Sequence, residues 1–279
     1  MKKIFFMALC LAAAACTSVK EVELIPASSF ETEVDGKQVS LYTLAAGDLT
    51  MQVTNFGGRV VTLWTPDKDG NYEDIVLGYN NIETYLNNPG ERFLGAVVGP
   101  YANRIANGTY TIGEETYTFP QNNNGQTLHG GLKGLDLVVW DVEEVTDSTL
   151  VLSYLHEDGA EGMPGNLKIV MTYALTSDNE FKVDYVAETD KATHVNISHH
   201  SFFNLKGEGN GTINDHILYI NASKTTPVNA VLIPSGEIAD VTGTPFDFRT
   251  AKAIGQDLEV ENEQLKNGGG YDHNWILDR

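Results

Sequence analysis

Short runs with a two-residue hydrophobic period recur along most of this chain, and no stretch after residue 20 carries a helical stripe. The runs are Val39–Leu44, Leu49–Val53, Leu150–Leu155, Leu167–Leu175, Phe181–Val186 and Ile217–Ile220. They alternate, or they are rich in β-branched and aromatic residues, as half-buried strands are. Between them stand turn clusters: Asp67-Lys68-Asp69-Gly70, Asn122-Asn123-Asn124-Gly125, Ser177-Asp178-Asn179 and Gly207-Glu208-Gly209-Asn210-Gly211. Many short strands joined by Gly/Asn turns predict an all-β sandwich or barrel. At 42% hydrophobic the chain can fill such a core. No composition shift and no internal repeat divides it. The glycine-rich 207–211 run is followed by the strand-like Ile213–Ile220, not by a helix start, so it reads as a plain turn and not a phosphate loop.

The charge narrows the partners. The chain carries 18 basic against 38 acidic residues, a net −20. Such a surface repels phosphate backbones, which argues against nucleic acid, and it disfavours adsorption to anionic lipid. The two cysteines are Cys10 and Cys16, so no disulfide framework and no cysteine-based zinc site is available to the rest.

Both cysteines sit in a leader-like segment. Lys2 and Lys3 precede an apolar run from Ile4 to Ala15. The run is well short of the roughly 20 residues a spanning helix needs. It reads as an export signal. Ala13-Ala14-Ala15-Cys16 resembles a bacterial lipoprotein lipobox, with Ala13 where leucine is commoner. The expected organisation is a signal peptide over 1–15, a lipidated Cys16 and tether over 16–28, and one β domain over 29–279. The expected location is the periplasm or a membrane surface, with membrane contact only through acyl chains on Cys16.

The chemistry available to the domain is limited. It has no Gly-x-Ser-x-Gly elbow, no His-Glu-x-x-His, no Walker loop and no nucleophilic cysteine. Four strings remain. Tyr101-Ala102-Asn103-Arg104-Ile105 offers an amide and a guanidinium, a donor fork suited to a polyhydroxylated ligand. Thr127-Leu128-His129-Gly130-Gly131 lets backbone and ligand approach a histidine closely. Val195-Asn196-Ile197-Ser198-His199-His200-Ser201-Phe202-Phe203-Asn204-Leu205, read as a strand, points its two imidazoles to opposite faces, which disfavours one shared metal. An imidazole there exchanges protons near neutrality. Gly268-Gly269-Gly270-Tyr271-Asp272-His273-Asn274-Trp275 delivers a carboxylate beside aromatics on which a sugar ring could stack. Read singly, each string is also compatible with an ordinary turn or a structural pair.

Together and in this order, with Asn55-Phe56-Gly57-Gly58, Leu77-Gly78-Tyr79, Pro164-Gly165-Asn166-Leu167 and Gly243-Thr244-Pro245-Phe246-Asp247-Phe248, they resemble the aldose 1-epimerase (galactose mutarotase) family from about Asn55 to the end. The resemblance implies a large twisted β-sandwich, the galactose mutarotase-like supersandwich, with no metal and no organic cofactor. It implies interconversion of the α and β anomers of a free aldose, a hexose such as glucose or galactose. By similarity, His200 is the general acid toward the ring oxygen, and His129 is the second catalytic histidine. Arg104, Asn103 and Asp272 fall at sugar-binding positions.

Three departures accompany the resemblance. His199 stands where the family usually has Asn, and Thr193-His194-Val195-Asn196 where it has Thr-Pro-Val-Asn. The family's base is a glutamate beyond the Asp-His-Asn string, and residues 1–279 contain no counterpart. The expectation is therefore a mutarotase-family domain that is incomplete at its C-terminus and turns over weakly by itself. The alternative is a sugar-binding sandwich of the same family without turnover.

Overall fold

The computed structural model describes residues 22–87 and 90–279. The leader, Cys16 and the first part of the tether lie outside the described residues. Ala27–Phe30 makes a 3-10 turn that buries Phe30. A small hairpin, β1 (Thr32–Val34) and β2 (Lys37–Val39), follows. Next comes a four-stranded antiparallel meander: β3 (Leu41–Ala46), β4 (Leu49–Thr54), β5 (Arg59–Pro66) and β6 (Tyr72–Asp74). After the short helix α1 (Ile82–Asn87) come β7 (Ala96–Val98) and β8 (Arg104–Ile105). A hairpin of β9 (Thr109–Ile112) and β10 (Glu115–Thr118) leads to β11 (Thr127–Leu128). The second meander is β12 (Asp141–Val145), β13 (Thr149–His156), β14 (Leu167–Leu175) and β15 (Phe181–Thr189). The remainder holds β16 (Ser198–His200), β17 (Ile217–Leu218), β18 (Lys224–Thr226), β19 (Ala239–Asp240) and β20 (Lys252–Ala253). It closes with helix α2 (Glu263–Gly268) and β21 (Asn274–Ile276).

The all-β expectation holds. The two meanders face each other across one core. Leu44, Met51, Val53, Val60 and Leu63 of the first meet Leu150, Leu152, Ile169, Met171 and Tyr173 of the second. Strand β14 shows why the sequence folds this way: every second residue from Leu167 to Leu175 is buried. Each fully buried aliphatic side chain contributes roughly 1.5–3 kcal/mol.

Two expected strands differ from the structure. Val39–Leu44 is broken at Ser40, whose N–H donates to Asn55 Oδ1. The same Asn55 side chain donates to the carbonyls of Gln38 and Trp140, so it pins three segments and ends β2 there. Ile217–Ile220 pairs with β20 only at Ile217 and Leu218, because Ile220 turns its N–H to Phe248 O. The 207–211 run is the plain turn expected, with Gly207 N–H on Asn204 O.

Helices are short. α2 is capped by Asn262, whose side chain accepts from Gln264 and Leu265 N–H, and it ends on Gly269 in the left-handed region at φ 62°. That stop sets the chain direction into Asp272.

Candidate active site

Two strand pairings bring the sequence strings together. β16 pairs with β7, opposing His200 to Ala96 and His199 to Val97. β8 pairs with β11, opposing Arg104 to Leu128. His129 therefore leaves β11 directly beside Arg104.

The two turns that carry these residues lock into each other. Asn103 N–H donates to His129 Nδ1 at 2.9 Å, and His129 N–H donates to Asn103 O at 3.0 Å. Both residues are left-handed, at φ 63° and 51°. Behind them the backbone is too close for side chains. A Cβ on Gly130 would lie 1.9 Å from Gly99 O. That contact explains the glycine after His129.

The result is a hollow of about 760 Å³, a volume within the usual range for small-molecule sites. Its walls include Asn103, Arg104, His129, His200 and Asp272. The sequence strings thus converge on one cavity. The rings of His129 and His200 lie 5.0 Å apart, nearly perpendicular. Phe93 packs on both, at 4.6 Å and 5.8 Å, and Phe202 packs on His200 at 5.1 Å. Arg104 is steadied by Asn123 Oδ1 at 3.3 Å and Asn103 Oδ1 at 3.2 Å.

His199 faces the other way, as the strand geometry predicts. It packs on Tyr173 and Phe181 of the second meander, with Nε2 3.0 Å from Ser201 Oγ. The aromatics around Asp272 differ from expectation. Tyr271 and Trp275 pack on Phe246 and Phe248, donating to Pro245 O and Phe246 O. They build a small core under Asp272 and offer no stacking platform; the aromatics at the hollow are Phe93 and Phe202. The reason is register: Trp275 opposes Thr225 on β18, which turns its ring toward that core.

Electrostatics divides the imidazoles. Burial, then the charges of His200, Arg104 and Arg92, hold His129 down to about 3. A neutral imidazole that accepts at Nδ1 carries its proton on Nε2. His129 is thus a fixed neutral donor. Burial and His200 hold His199 down to about 4. Burial lowers the Arg104 pKa, and the Asp272 charge opposes that shift. Two carboxylates, Asp272 and Glu91, line the hollow, and Glu91 Oε1 accepts from Phe93 N–H. Among the described residues no group of three or more His, Cys, Asp or Glu gathers as a metal site.

A pH dependence follows. The unfolded chain protonates its histidines near pH 6.5, whereas folded His129 and His199 resist protonation to about 3 and 4. Below pH 6.5 the unfolded state therefore binds more protons, and stability falls as pH falls through that window. Urea midpoints measured from pH 7 to pH 4 are expected to decline. In His199→Phe, which keeps the ring packing, the decline is expected to be shallower. An identical slope would remove His199 from the account.

Glu91, Arg92 and Phe93 lie outside the sequence strings, and Phe202 lies inside the third string without an assigned role there. The 90–93 loop is held from elsewhere in the chain: Arg59 donates to Arg92 O, and Asp136 accepts from the Arg92 guanidinium.

Comparisons with known proteins bear on the family and the fold. A family model described as aldose 1-epimerase matches residues 40–279. The galactose mutarotase of Bos taurus is 39% identical over 239 residues, covering 86% of this chain and 67% of that protein. The aldose 1-epimerase of Escherichia coli (strain K12) is 36% identical over 245 residues, covering 87% of this chain and 69% of that protein. The crystal structure of galactose 1-epimerase from Lactobacillus acidophilus NCFM superposes with a TM-score of 0.79 at 32% identity, covering 89% of this chain and 73% of that one. A β-sandwich with this order of motifs and this extent of likeness belongs to the aldose 1-epimerase family.

Proposed function

We propose that this protein is an aldose 1-epimerase, an isomerase that interconverts the α and β anomers of a free hexose. One observation carries the reading: His129 and His200 stand 5.0 Å apart on a hexose-sized hollow that Arg104 and Asp272 also line.

Anomer exchange needs a proton delivered to the ring oxygen and another removed from the anomeric hydroxyl. His200 gives its proton to the ring oxygen as the bond from that oxygen to C1 breaks. The hydroxyl proton leaves to water, and its electron pair forms the aldehyde. Rotation about C1–C2 presents the other carbonyl face. The ring hydroxyl attacks it, His200 takes its proton back, and a proton returns to O1. Each positioned transfer group contributes roughly 10²–10⁴ in rate. His129, fixed as a neutral Nε2 donor, hydrogen-bonds an oxygen where charge develops. Arg104 and Asn103 donate to sugar hydroxyls, and Asp272 accepts from them. No carboxylate of the hollow is assigned the removal of the hydroxyl proton. Polarimetry on freshly dissolved α-glucose tests the reading. An approach to equilibrium that quickens in proportion to added protein supports it. A rate equal to that of buffer at every protein concentration rejects it and favours a binding module.

Export and lipid attachment at Cys16 are part of the same proposal. The support is the Lys2-Lys3 start, the apolar run and the alanines before Cys16. No helix among the described residues is long and apolar enough to cross a membrane. In detergent phase partition of expressing cells, the parent chain is expected in the detergent phase and Cys16→Ser in the aqueous phase. Equal partition of the two would discard the anchor.

A further inference from the structure

Arg92 lines the hollow, and its three guanidinium nitrogens are all engaged by protein acceptors. Nε and Nη2 fork onto the two oxygens of Asp136 at 2.7 Å and 3.0 Å. Asp136 is fully buried. The same guanidinium donates from Nη1 to Gly131 O and from Nη2 to Leu132 O, both at 3.3 Å. Those carbonyls belong to the turn that carries His129. Its cation also sits 5.0 Å over the Phe93 ring, which packs on both imidazoles.

The turn needs such a tie. His129, Gly130 and Gly131 all have positive φ, so the backbone has no regular ladder to hold it. Asn122 bridges Leu128 and Gly131 from one side, and Glu161 Oε2 accepts from Leu132 N–H on another. Among the described residues, Arg92 connects the turn to the buried carboxylate and to the aromatic wall at once. Asp136 is itself fixed, because buried Arg59 donates to its backbone carbonyl at 2.8 Å.

We propose that Arg92 is a positioning residue for His129: it clamps the His129 turn to the buried Asp136 carboxylate and holds Phe93 against both imidazoles. The proposal rests on the mutarotase reading for its kinetic consequence, and on geometry alone for its structural one. A guanidinium suits the task, since a planar fork satisfies a carboxylate and two carbonyls together. Lysine brings the charge without the fork.

The test pairs kinetics with nitrogen-15 spectra of the imidazoles in the full chain. Misplacing a catalytic group by about an ångström costs up to about 10²-fold in rate. Arg92→Gln is therefore expected to lower kcat for α-glucose by about 10- to 100-fold, with KM changed by less than about threefold. Arg92→Lys is expected to fall between Arg92→Gln and the parent. Added methylguanidinium is expected to restore part of the Arg92→Gln rate. In the spectra, His129 of the parent shows one fixed Nε2–H tautomer, and Arg92→Gln shows exchange between tautomers. A folded Arg92→Gln with parental kcat and an unchanged His129 signal overturns the proposal. If the parent itself fails to accelerate mutarotation, the functional reading fails, and the His129 spectra still decide the role of Arg92. If Arg92→Gln does not fold, the spectra of Arg92→Lys decide it on the same criterion.

Discussion

Glutamine in place of His200 is expected to lower kcat for anomer exchange by about 10²–10⁴-fold, the range for losing a positioned general acid. Glutamine retains a donor of similar reach and cannot release its proton to a ring oxygen. KM is expected to change by only a few-fold, since Arg104, Asn103, His129 and Asp272 still line the hollow. The fold is expected to survive, because His200 contacts rings at the cavity surface while the core between the two meanders lies beneath. Steady-state polarimetry on the parent and His200→Gln, with circular dichroism of both, checks this. His199→Gln supplies the contrast: its ring packs on Tyr173 and Phe181, so stability is expected to fall and kcat to stay close to the parent's. The opposite pattern, with His199 essential and His200 dispensable, would reverse the assignment of the strand faces.

The largest expected effect on stability comes from Asp136→Ala. Asp136 and Arg59 are 0% and 1% exposed, and the carboxylate serves Arg92 through two hydrogen bonds. Arg59 lies 3.9 Å from the same carboxylate and donates to the carbonyls of residues 92, 94 and 136. Burial lowers the Arg59 pKa, and the Asp136 charge is the main force opposing that shift. Removing the carboxylate leaves a buried cation without its counter-charge. Losing one partner of a buried pair costs about 3–5 kcal/mol. Urea unfolding is expected to show a loss in that range. Asp136→Asn keeps the side-chain volume and one acceptor oxygen for Arg92 but loses the charge and the second acceptor, so its loss is expected to be smaller than that of Asp136→Ala but still substantial. A change of less than about 1 kcal/mol in Asp136→Ala would mean that water or another group already compensates Arg59.

The sequence made the sandwich readable because strand periodicity survives in the residues that face the core. Leu167–Leu175 alternates along its whole length, and Leu49, Met51 and Val53 do the same in β4. Residues that read as chemistry, His129, His200, Arg104 and Asp272, also met in one place. Their proximity depends on two pairings between segments far apart in the chain, β7 with β16 and β8 with β11. Each pairing is too short to show as a period, so only the order of motifs pointed to them. The supports under the site were not legible. Arg59 sits in a strand, where an arginine normally reads as solvent-facing, yet it is buried because three backbone carbonyls and Asp136 converge on it. Arg92 and Phe93 follow a turn-like Asn-Pro-Gly-Glu run that carries no recognisable pattern. Tyr271 and Trp275 looked like sugar platforms because aromatic residues beside a carboxylate often are. Their rings instead fill the space against Phe246 and Phe248, a tertiary preference that local sequence does not encode.

Histidine imidazole resonances followed during a galactose titration test the convergence of these groups most directly. His129 and His200 are expected to shift together along one saturating curve, while His156 and His216, which do not line the hollow, stay in place. Saturating sugar that leaves His129 and His200 unmoved, or that moves His156 and His216 instead, would contradict the account.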